Sequence, residues 1–336
     1  MKIRWAIIGA GGIAVNRMIP AMLRCEGCEV TAVMRTDRTK LAAVQRQFDI
    51  PHAFDNVDDL MHGPAYDAVY IASPVYAHAD QAIRCAEAGK PVLVEKPVGM
   101  NAREVAAIRL ACKAGGTFFD AALMMRYHGL HEKMRELIAQ GAIGTPVSVR
   151  MDFSFRYPEW EGAWRQRQHL GGGGVLMDLG PHCLDLIQYV TSRSISKIRG
   201  ALINTQTFGY EVEDSASVLM EMDGGVHALL STHFNVPEAA SGRRFEVFGT
   251  KGSLVATGTL GQTETGSLLR KSGEGAVEEI GLPRRDESFA QYGLYIRELE
   301  SFMAKMQDRP LWDAVMDEQT VLQELIDAIY KKGREA

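Results

Sequence analysis

A short apolar run, Ile3–Ile8, breaks into Gly9-Ala10-Gly11-Gly12-Ile13-Ala14 and then into a helical pattern. No other stretch restricts the fold of this chain so tightly. The string fits G-x-G-x-x-G/A, with Ala14 in the third small position. In such a turn the first glycine allows the tight bend, the second lets a pyrophosphate approach the backbone, and the third residue permits close helix–strand packing. Amides at the helix start then face the phosphates. Glycine turns are common, so the match gains weight from its setting: it follows a strand, opens a helix and starts a βαβ unit.

That unit is the first of several. Across residues 1–120, apolar strand patterns at Ile3–Ile8, Val30–Met34, Ala68–Ala72, Val92–Val94 and Thr117–Phe119 alternate with helical ones at Gly12–Arg24, Asp37–Phe48, Tyr76–Ala88 and Asn101–Ala114. Pro20 predicts a kink in the first helix, Thr36 or Asp37 a cap for the second, and Gly89 the C-terminal stop of the third. Strands alternating with helices imply a doubly wound parallel sheet with right-handed crossovers.

In such sheets, ligands bind beyond the carboxyl ends of the strands. The residues there are therefore candidates. The second strand ends Met34-Arg35-Thr36 and lacks the acidic residue that would hold an adenosine ribose. A guanidinium suits a 2′-phosphate, and Lys40, one helical turn on, adds charge. Arg35 thus points to NADP, with NAD possible. The alternative has Arg35 stacked on adenine or solvated, and Asp37 on the ribose. Ser73 and Pro74 follow the next strand and could line the nicotinamide ribose; His78 is either part of that wall or a helix-surface histidine. Glu95-Lys96-Pro97 closes the strand Val92–Val94 and sets an ammonium at the mouth of the crevice, where it could polarise a substrate oxygen.

The second half changes character. A helix at Leu130–Ala139 ends in the breakers Gly141-Ala142-Ile143-Gly144-Thr145-Pro146. Strand patterns follow at Val147–Phe155, Ser217–Met222, Val226–Phe234, Phe245–Phe248 and Ser253–Thr257, with hairpin turns at Asp223-Gly224-Gly225 and Thr250-Lys251-Gly252. Two helices close the chain, near Asp286–Met306 and Asp317–Lys331. The fold class expected is α/β: a Rossmann domain over residues 1–120 and a second domain with an antiparallel sheet over 121–336, the last helix free to turn back onto the first.

Within the second half, Gly171-Gly172-Gly173-Gly174 precedes the helical run Val175–Leu186. Four glycines are entropically expensive and make sense where backbone passes close to a ligand or another segment. Asp178 and His182, four apart, share a helix face, the spacing by which a carboxylate orients an imidazole for acid–base work. The plainer alternative is that Asp178 caps the helix and His182 is a core histidine with Asp185 as neighbour. Pro181 weakens the helical geometry by removing one ladder bond.

Composition closes off several classes. Net charge is -5 with no basic stripe, which disfavours nucleic acid. No apolar run approaches the roughly 20 residues of a membrane helix. The glycine turn interrupts the N-terminal apolar stretch too early for a secretory signal, so a cytoplasmic protein is expected. Five cysteines give no disulfide framework. Cys25-Glu26-Gly27-Cys28 has C-x-x-C spacing, but no second pair or nearby histidine completes a metal site, and no metal is expected.

Taken together, the turn at Gly9–Ala14, Glu95-Lys96-Pro97, and Gly172-Gly173-Gly174 followed by Asp178 and His182 resemble the glucose-fructose oxidoreductase/inositol dehydrogenase (Gfo/Idh/MocA) family. Trp164-Arg165, Ile143-Gly144-Thr145-Pro146 and Phe248-Gly249-Thr250-Lys251-Gly252-Ser253 are lesser echoes. The resemblance spans almost the whole chain. It implies that the second domain, 121–336, is an α/β substrate-binding and oligomerisation domain with a large open, mostly antiparallel sheet used for homodimers or homotetramers. It also implies a catalytic lysine at Lys96, an aspartate at Asp178 and a histidine at His182, with hydride moved between nicotinamide and a hydroxyl or carbonyl carbon of a sugar, inositol or related polyol. Val33-Met34-Arg35-Thr36 resembles the NADP-using sugar reductases more than the NAD-using inositol dehydrogenases. Weaker candidates for the substrate wall are Arg126, Tyr157, Trp164 and Arg165. Three alternatives stay open: an NAD-dependent glycosidase working by transient oxidation, a cofactor-sensing regulator without chemistry, and a biliverdin reductase-like activity on a flat tetrapyrrole.

Overall fold

The structure is a computed structural model, and it describes residues 2–241, 243–282 and 287–335. The chain divides into two compact units. One comprises Met1–Ala122 and Tyr295–Gln323, the other Leu123–Leu294 and Glu324–Ala336.

The first unit holds six strands: β1 Ile3–Ile8, β2 Cys28–Met34, β3 His52–Phe54, β4 Ala68–Ile71, β5 Val92–Glu95 and β6 Phe119–Ala122. Their order is β3-β2-β1-β4-β5-β6 and every pair is parallel. This is the doubly wound Rossmann order, whose switch point falls between β1 and β4. Trp5 to Ile8 and Ala68 to Ile71 are fully buried, as expected of strands covered on both faces. Asp37 caps the helix Arg38–Phe48, accepting from the Lys40 amide at 3.0 Å. The kink expected from Pro20 takes the form of a π-helical turn over Ala14–Met18, directly ahead of the α-helical Ile19–Met22; the wider turn accommodates the missing N–H. β3 and the helix Val57–Met61 carried too little periodicity to be read from sequence.

The second unit holds β7 Pro146–Ser154, β8 Ile195–Asn204, β9 Ser215–Met222, β10 Val226–His233, β11 Arg244–Gly249, β12 Gly252–Thr257, β13 Ser267–Ser272 and β14 Val277–Ile280, in the order β14-β13-β12-β11-β7-β10-β9-β8. The hairpins at Asp223–Gly225 and Thr250–Gly252 join β9 to β10 and β11 to β12. β7 and β10 pair in parallel and the remaining pairs are antiparallel. The helix Val175–Thr191 packs on β7, β9 and β10. The other face of the sheet is open, with Leu202, Leu219 and Leu229 exposed on it. β8, β13 and β14 were not anticipated. β8 has two register shifts and an outer-strand pattern broken by Lys197 and Arg199.

The helix Gly129–Ala139 carries His131, fully buried between the Met125 carbonyl at 2.8 Å and the Thr259 hydroxyl at 2.9 Å. Burial, aided by His128 beside it, pulls the imidazole pKa down to about 3. The closing helices run Glu287–Met306 and Trp312–Arg334; the expected first residue of the former, Asp286, lies outside the described residues.

Candidate active site

In the first unit the strand ends are knitted together around Gly9. Its φ is +87°, and a Cβ there would lie 2.3 Å from the Ser73 amide nitrogen, so only glycine allows β1 to run out against the end of β4. The Gly9 and Ala10 amides donate to the Met34 carbonyl at 3.0 and 3.2 Å, which pins the turn to the end of β2. On the outer side the turn is open. A Cβ on Gly11 would meet only the Gly9 carbonyl oxygen at 3.9 Å, and one on Gly12 only Asn16 at 3.9 Å. Ala14 is fully buried beneath, and Ile13 is half-buried. Uncrowded backbone on one side and tight packing on the other is what a dinucleotide's pyrophosphate requires, so the residues present fit that group.

Arg35 follows β2 and donates a guanidinium N–H to the Ala10 carbonyl of the turn. A guanidinium has five donors, so others remain for a ligand. Thr36 beside it is exposed. Lys40 is ion-paired with Asp37 at 3.2 Å. The Lys40 amide and its ammonium hold the Asp37 carboxyl below the usual carboxylate range. Asp37 is thus engaged with its own helix, which leaves Arg35 as the charged group directly at the strand end.

His78 is not a surface histidine. It is 1% exposed, with Nδ1 2.9 Å from the Pro97 carbonyl oxygen and Nε2 2.8 Å from the Ser73 carbonyl oxygen. It bridges the segments after β4 and β5. Ser73 in turn donates to Gln81 Oε1 at 2.6 Å, and Pro74 starts the 3-10 turn Val75–Ala77. Glu95 accepts from the buried Tyr70 hydroxyl at 2.6 Å and from the Lys96 amide at 3.2 Å. Burial first, then the carboxylate, pushes the Tyr70 phenol well above its ordinary pKa, so it stays a donor. Lys96 therefore leaves the sheet from a fixed backbone, followed by a cis Lys96–Pro97 peptide.

In the second unit the glycine run meets other segments of chain. A Cβ on Gly173 would lie 1.9 Å from the Tyr330 hydroxyl, and one on Gly174 1.9 Å from the Glu213 carbonyl oxygen. Tyr330 donates to Glu213 Oε1 at 2.8 Å and the Leu176 amide to the same oxygen at 3.0 Å. Burial raises the Glu213 pKa, partly offset by those donors. The helix Val175–Thr191 begins beyond Gly174 and passes through Pro181 unbroken. Asp178 sits one turn inside, so it is not the cap; it accepts from Arg165 Nε at 3.3 Å. His182, 4% exposed, follows on the same face. Asp185 is taken by Arg126, whose Nε reaches both carboxylate oxygens at 2.7 and 2.8 Å.

Among the weaker candidates, Arg126 also lies over the Tyr189 ring at 5.4 Å, a second tie to its own unit. Arg165 stacks on Trp164 at 4.2 Å while holding Asp178. Tyr157 accepts from the Trp160 indole at 3.2 Å and packs on Phe234. Sequence reasoning missed the supports: Tyr70, Gln81, Glu213 and Tyr330. The buried pair Glu213-Asp214 ahead of β9 is visible in the sequence, but its distant partner Tyr330 is not. Among the described residues no cluster of three His, Cys, Asp or Glu side chains suits a metal ion. Likewise, no helix among them is long and apolar enough to cross a membrane.

The two units define a dinucleotide-binding oxidoreductase architecture. Residues 3–120 match the oxidoreductase family with an NAD-binding Rossmann fold, and residues 131–255 match the GFO/IDH/MocA C-terminal domain. The chain is 30% identical over 330 residues to D-xylose 1-dehydrogenase (NADP(+)) 2 of Haloferax volcanii, covering 98% of this chain and 97% of that one. It is 31% identical over 273 residues to 1,5-anhydro-D-fructose reductase of Ensifer adhaerens, covering 81% of each. The solved structure of aldose-aldose oxidoreductase from Caulobacter crescentus superposes over 100% of this chain and 98% of that one, at a TM-score of 0.86 and 24% identity, a likeness of fold. The protein belongs to the Gfo/Idh/MocA family of NAD(P)-dependent oxidoreductases. The relatives are named as dehydrogenases and reductases, which favours redox chemistry over the glycosidase and sensor alternatives.

Proposed function

We propose that this protein is an NADP-preferring reductase or dehydrogenase of a small sugar or polyol. The observation that carries the reading is the set of groups at the carboxyl ends of β1, β2 and β5: the open turn at Gly11, Arg35 beside it, and Lys96 on the segment that Tyr70 and His78 hold. Arg35 supports NADP because a guanidinium matches a phosphate monoester better than a ribose diol. Relatives named for 1,5-anhydro-D-fructose, D-xylose and a dihydrobenzene diol support the substrate class.

When bound, the nicotinamide supplies or accepts a hydride. The chain's own groups handle the oxygen. His182 gives a proton to it in reduction and takes one in oxidation. Lys96 Nζ donates to the same oxygen as negative charge develops. Asp178 is a positioning residue for that proton transfer, itself steered by Arg165. Tyr157, Trp164 and Arg165 are proposed for the substrate wall; the ties of Arg126 to Asp185 and Tyr189 favour a structural part for it.

The exposed Leu202, Leu219 and Leu229, flanked by Arg150, Arg244 and Glu246 on the open sheet face, support a homodimer or homotetramer formed there. Leu219→Arg should lower the mass found by light scattering.

Fluorescence titration with NADPH and NADH, followed by absorbance assays on a panel of sugars, inositols and keto-sugars, tests the whole reading. Tighter NADPH binding with turnover on a panel member is expected. Much tighter NADH binding would refute the cofactor preference, and no turnover on any member would refute the substrate class.

A further inference from the structure

Cys25-Glu26-Gly27-Cys28 takes no part in the dinucleotide end of the first unit. Cys28 opens β2 and pairs with Ile3 at the start of β1, at the opposite end of the strands from Gly9 and Arg35. Both cysteines are free thiols, 4% and 3% exposed. The Cys28 amide donates to the Cys25 carbonyl at 3.0 Å, which folds the segment into a turn with both cysteines on it. The spacing alone offered no third ligand. The fold supplies one from the helix Glu287–Met306: Met303 Sδ lies 3.8 Å from Cys28 Sγ. Gly27 makes room for it, since a Cβ there would stand 2.9 Å from Met303 Cε and 3.3 Å from its sulfur.

Three features go beyond packing. A thiolate sits about 2.3 Å from its metal, so two ligands of a three-coordinate centre lie about 4 Å apart, close to the 3.8 Å between Cys28 Sγ and Met303 Sδ. The donors are all sulfur, two ionisable and one neutral, a soft set that selects Cu(I) over the harder divalent ions. The fully buried Trp5 indole N–H is turned toward the Cys28 sulfur. A metal-bound thiolate there would accept it, as outer-shell donors commonly do for ligands. Glu26 and Glu300 place negative charge beside Cys25, and the half-exposed Met303 forms the solvent side.

The geometry points to a thiophilic cation site in which Cys25 Sγ, Cys28 Sγ and Met303 Sδ bind one Cu(I) ion. Each thiol releases its proton to solvent as its sulfur–metal bond forms, and no electron is transferred.

The test uses the full chain with its dinucleotide, reduced by a phosphine and kept anaerobic, titrated with Cu(I) held by bicinchoninate. The expected result is one equivalent taken from the chelator per chain, with Trp5 fluorescence quenched. Cys28→Ser should abolish uptake, and Met303→Leu should weaken it by about tenfold or more. Trp5→Phe should lose the optical signal and keep the uptake. X-ray absorption on the unaltered protein should find three sulfurs at about 2.3 Å, a readout independent of whether any variant folds. Copper left on the chelator, uptake unchanged in Cys28→Ser, or a two-sulfur centre indifferent to Met303 would overturn the assignment.

Discussion

The imidazole Nδ1 of His78 lies 2.9 Å from the carbonyl oxygen of Pro97, while its Nε2 reaches the carbonyl oxygen of Ser73. Carbonyl oxygens only accept, so the ring donates at both nitrogens only as the imidazolium, and a neutral tautomer keeps one of the two bonds. One buried side chain thereby sets the distance between the segments that follow β4 and β5.

Removing that bridge should loosen the segment bearing Lys96. His78→Ala should lower unfolding free energy by about 3 kcal/mol, from the lost hydrogen bonding to buried carbonyls and the void left by the ring. It should also weaken dinucleotide binding. Denaturant unfolding with a parallel NADPH titration measures both. A variant with unaltered stability and affinity would contradict the bridging role.

Lys96→Ala and His182→Ala should each cut turnover by about 100-fold or more. Dinucleotide affinity should stay within a few-fold of normal, because neither residue belongs to the Gly9 turn. Single-turnover rates beside binding isotherms separate the two effects. Near-normal turnover in both variants would remove these residues from the chemistry.

Arg35→Asp should turn the cofactor preference toward NADH. The Ala10 carbonyl also loses its guanidinium donor, so both affinities will fall somewhat. The quantity to follow is the ratio of the two dissociation constants, which should drop by about tenfold or more on losing a charged phosphate contact. An unchanged ratio would place the 2′-phosphate elsewhere.

His131 gives the second unit an acid-sensitive stability. Its pKa falls from the ordinary histidine value near 6.5 to about 3 in the folded chain. The unfolded chain therefore binds the extra proton between those values. The His131 contribution is complete above pH 6.5 and drains away as the pH drops toward 3. Between pH 7 and pH 5 the loss from this group is about 2 kcal/mol. His131→Gln should flatten that part of the profile, as urea unfolding at the two pH values would register. An equal slope in both proteins would assign the effect to other groups.

The parts of the fold legible in the sequence are those whose signal is local. Gly9, the buried runs Ala68–Ile71 and Val92–Val94, and the hairpin glycines at 224 and 225 report on their own backbone, so their elements follow from periodicity and turn chemistry. β3 and β14 are short and only partly buried, and β8 is interrupted by register shifts, so sheet pairing rather than their own pattern makes them strands. The same division holds for the candidate site. Lys96, Asp178 and His182 stand in recognisable strings. The Tyr70–Glu95, Arg126–Asp185 and Tyr330–Glu213 contacts join residues 25, 59 and 117 positions apart, and nothing in a linear pattern announces them. The alternative of His78 as a helix-surface histidine failed for that reason: its two carbonyl partners come from separate loops.

The central position of β7 bears on how the second unit assembles. β7 precedes both of its neighbours, β10 and β11, by a long stretch of chain, and its pairing with β10 is parallel, so no hairpin can zip it into place. Closing such loops is entropically slow, whereas β9–β10 and β11–β12 are joined by tight turns and can form early. Refolding should therefore proceed from two hairpins that later capture β7 between them. Pulse-labelled hydrogen exchange should find the β9–β10 amides protected before those of β7, and the reverse order would argue for nucleation at the sheet's centre.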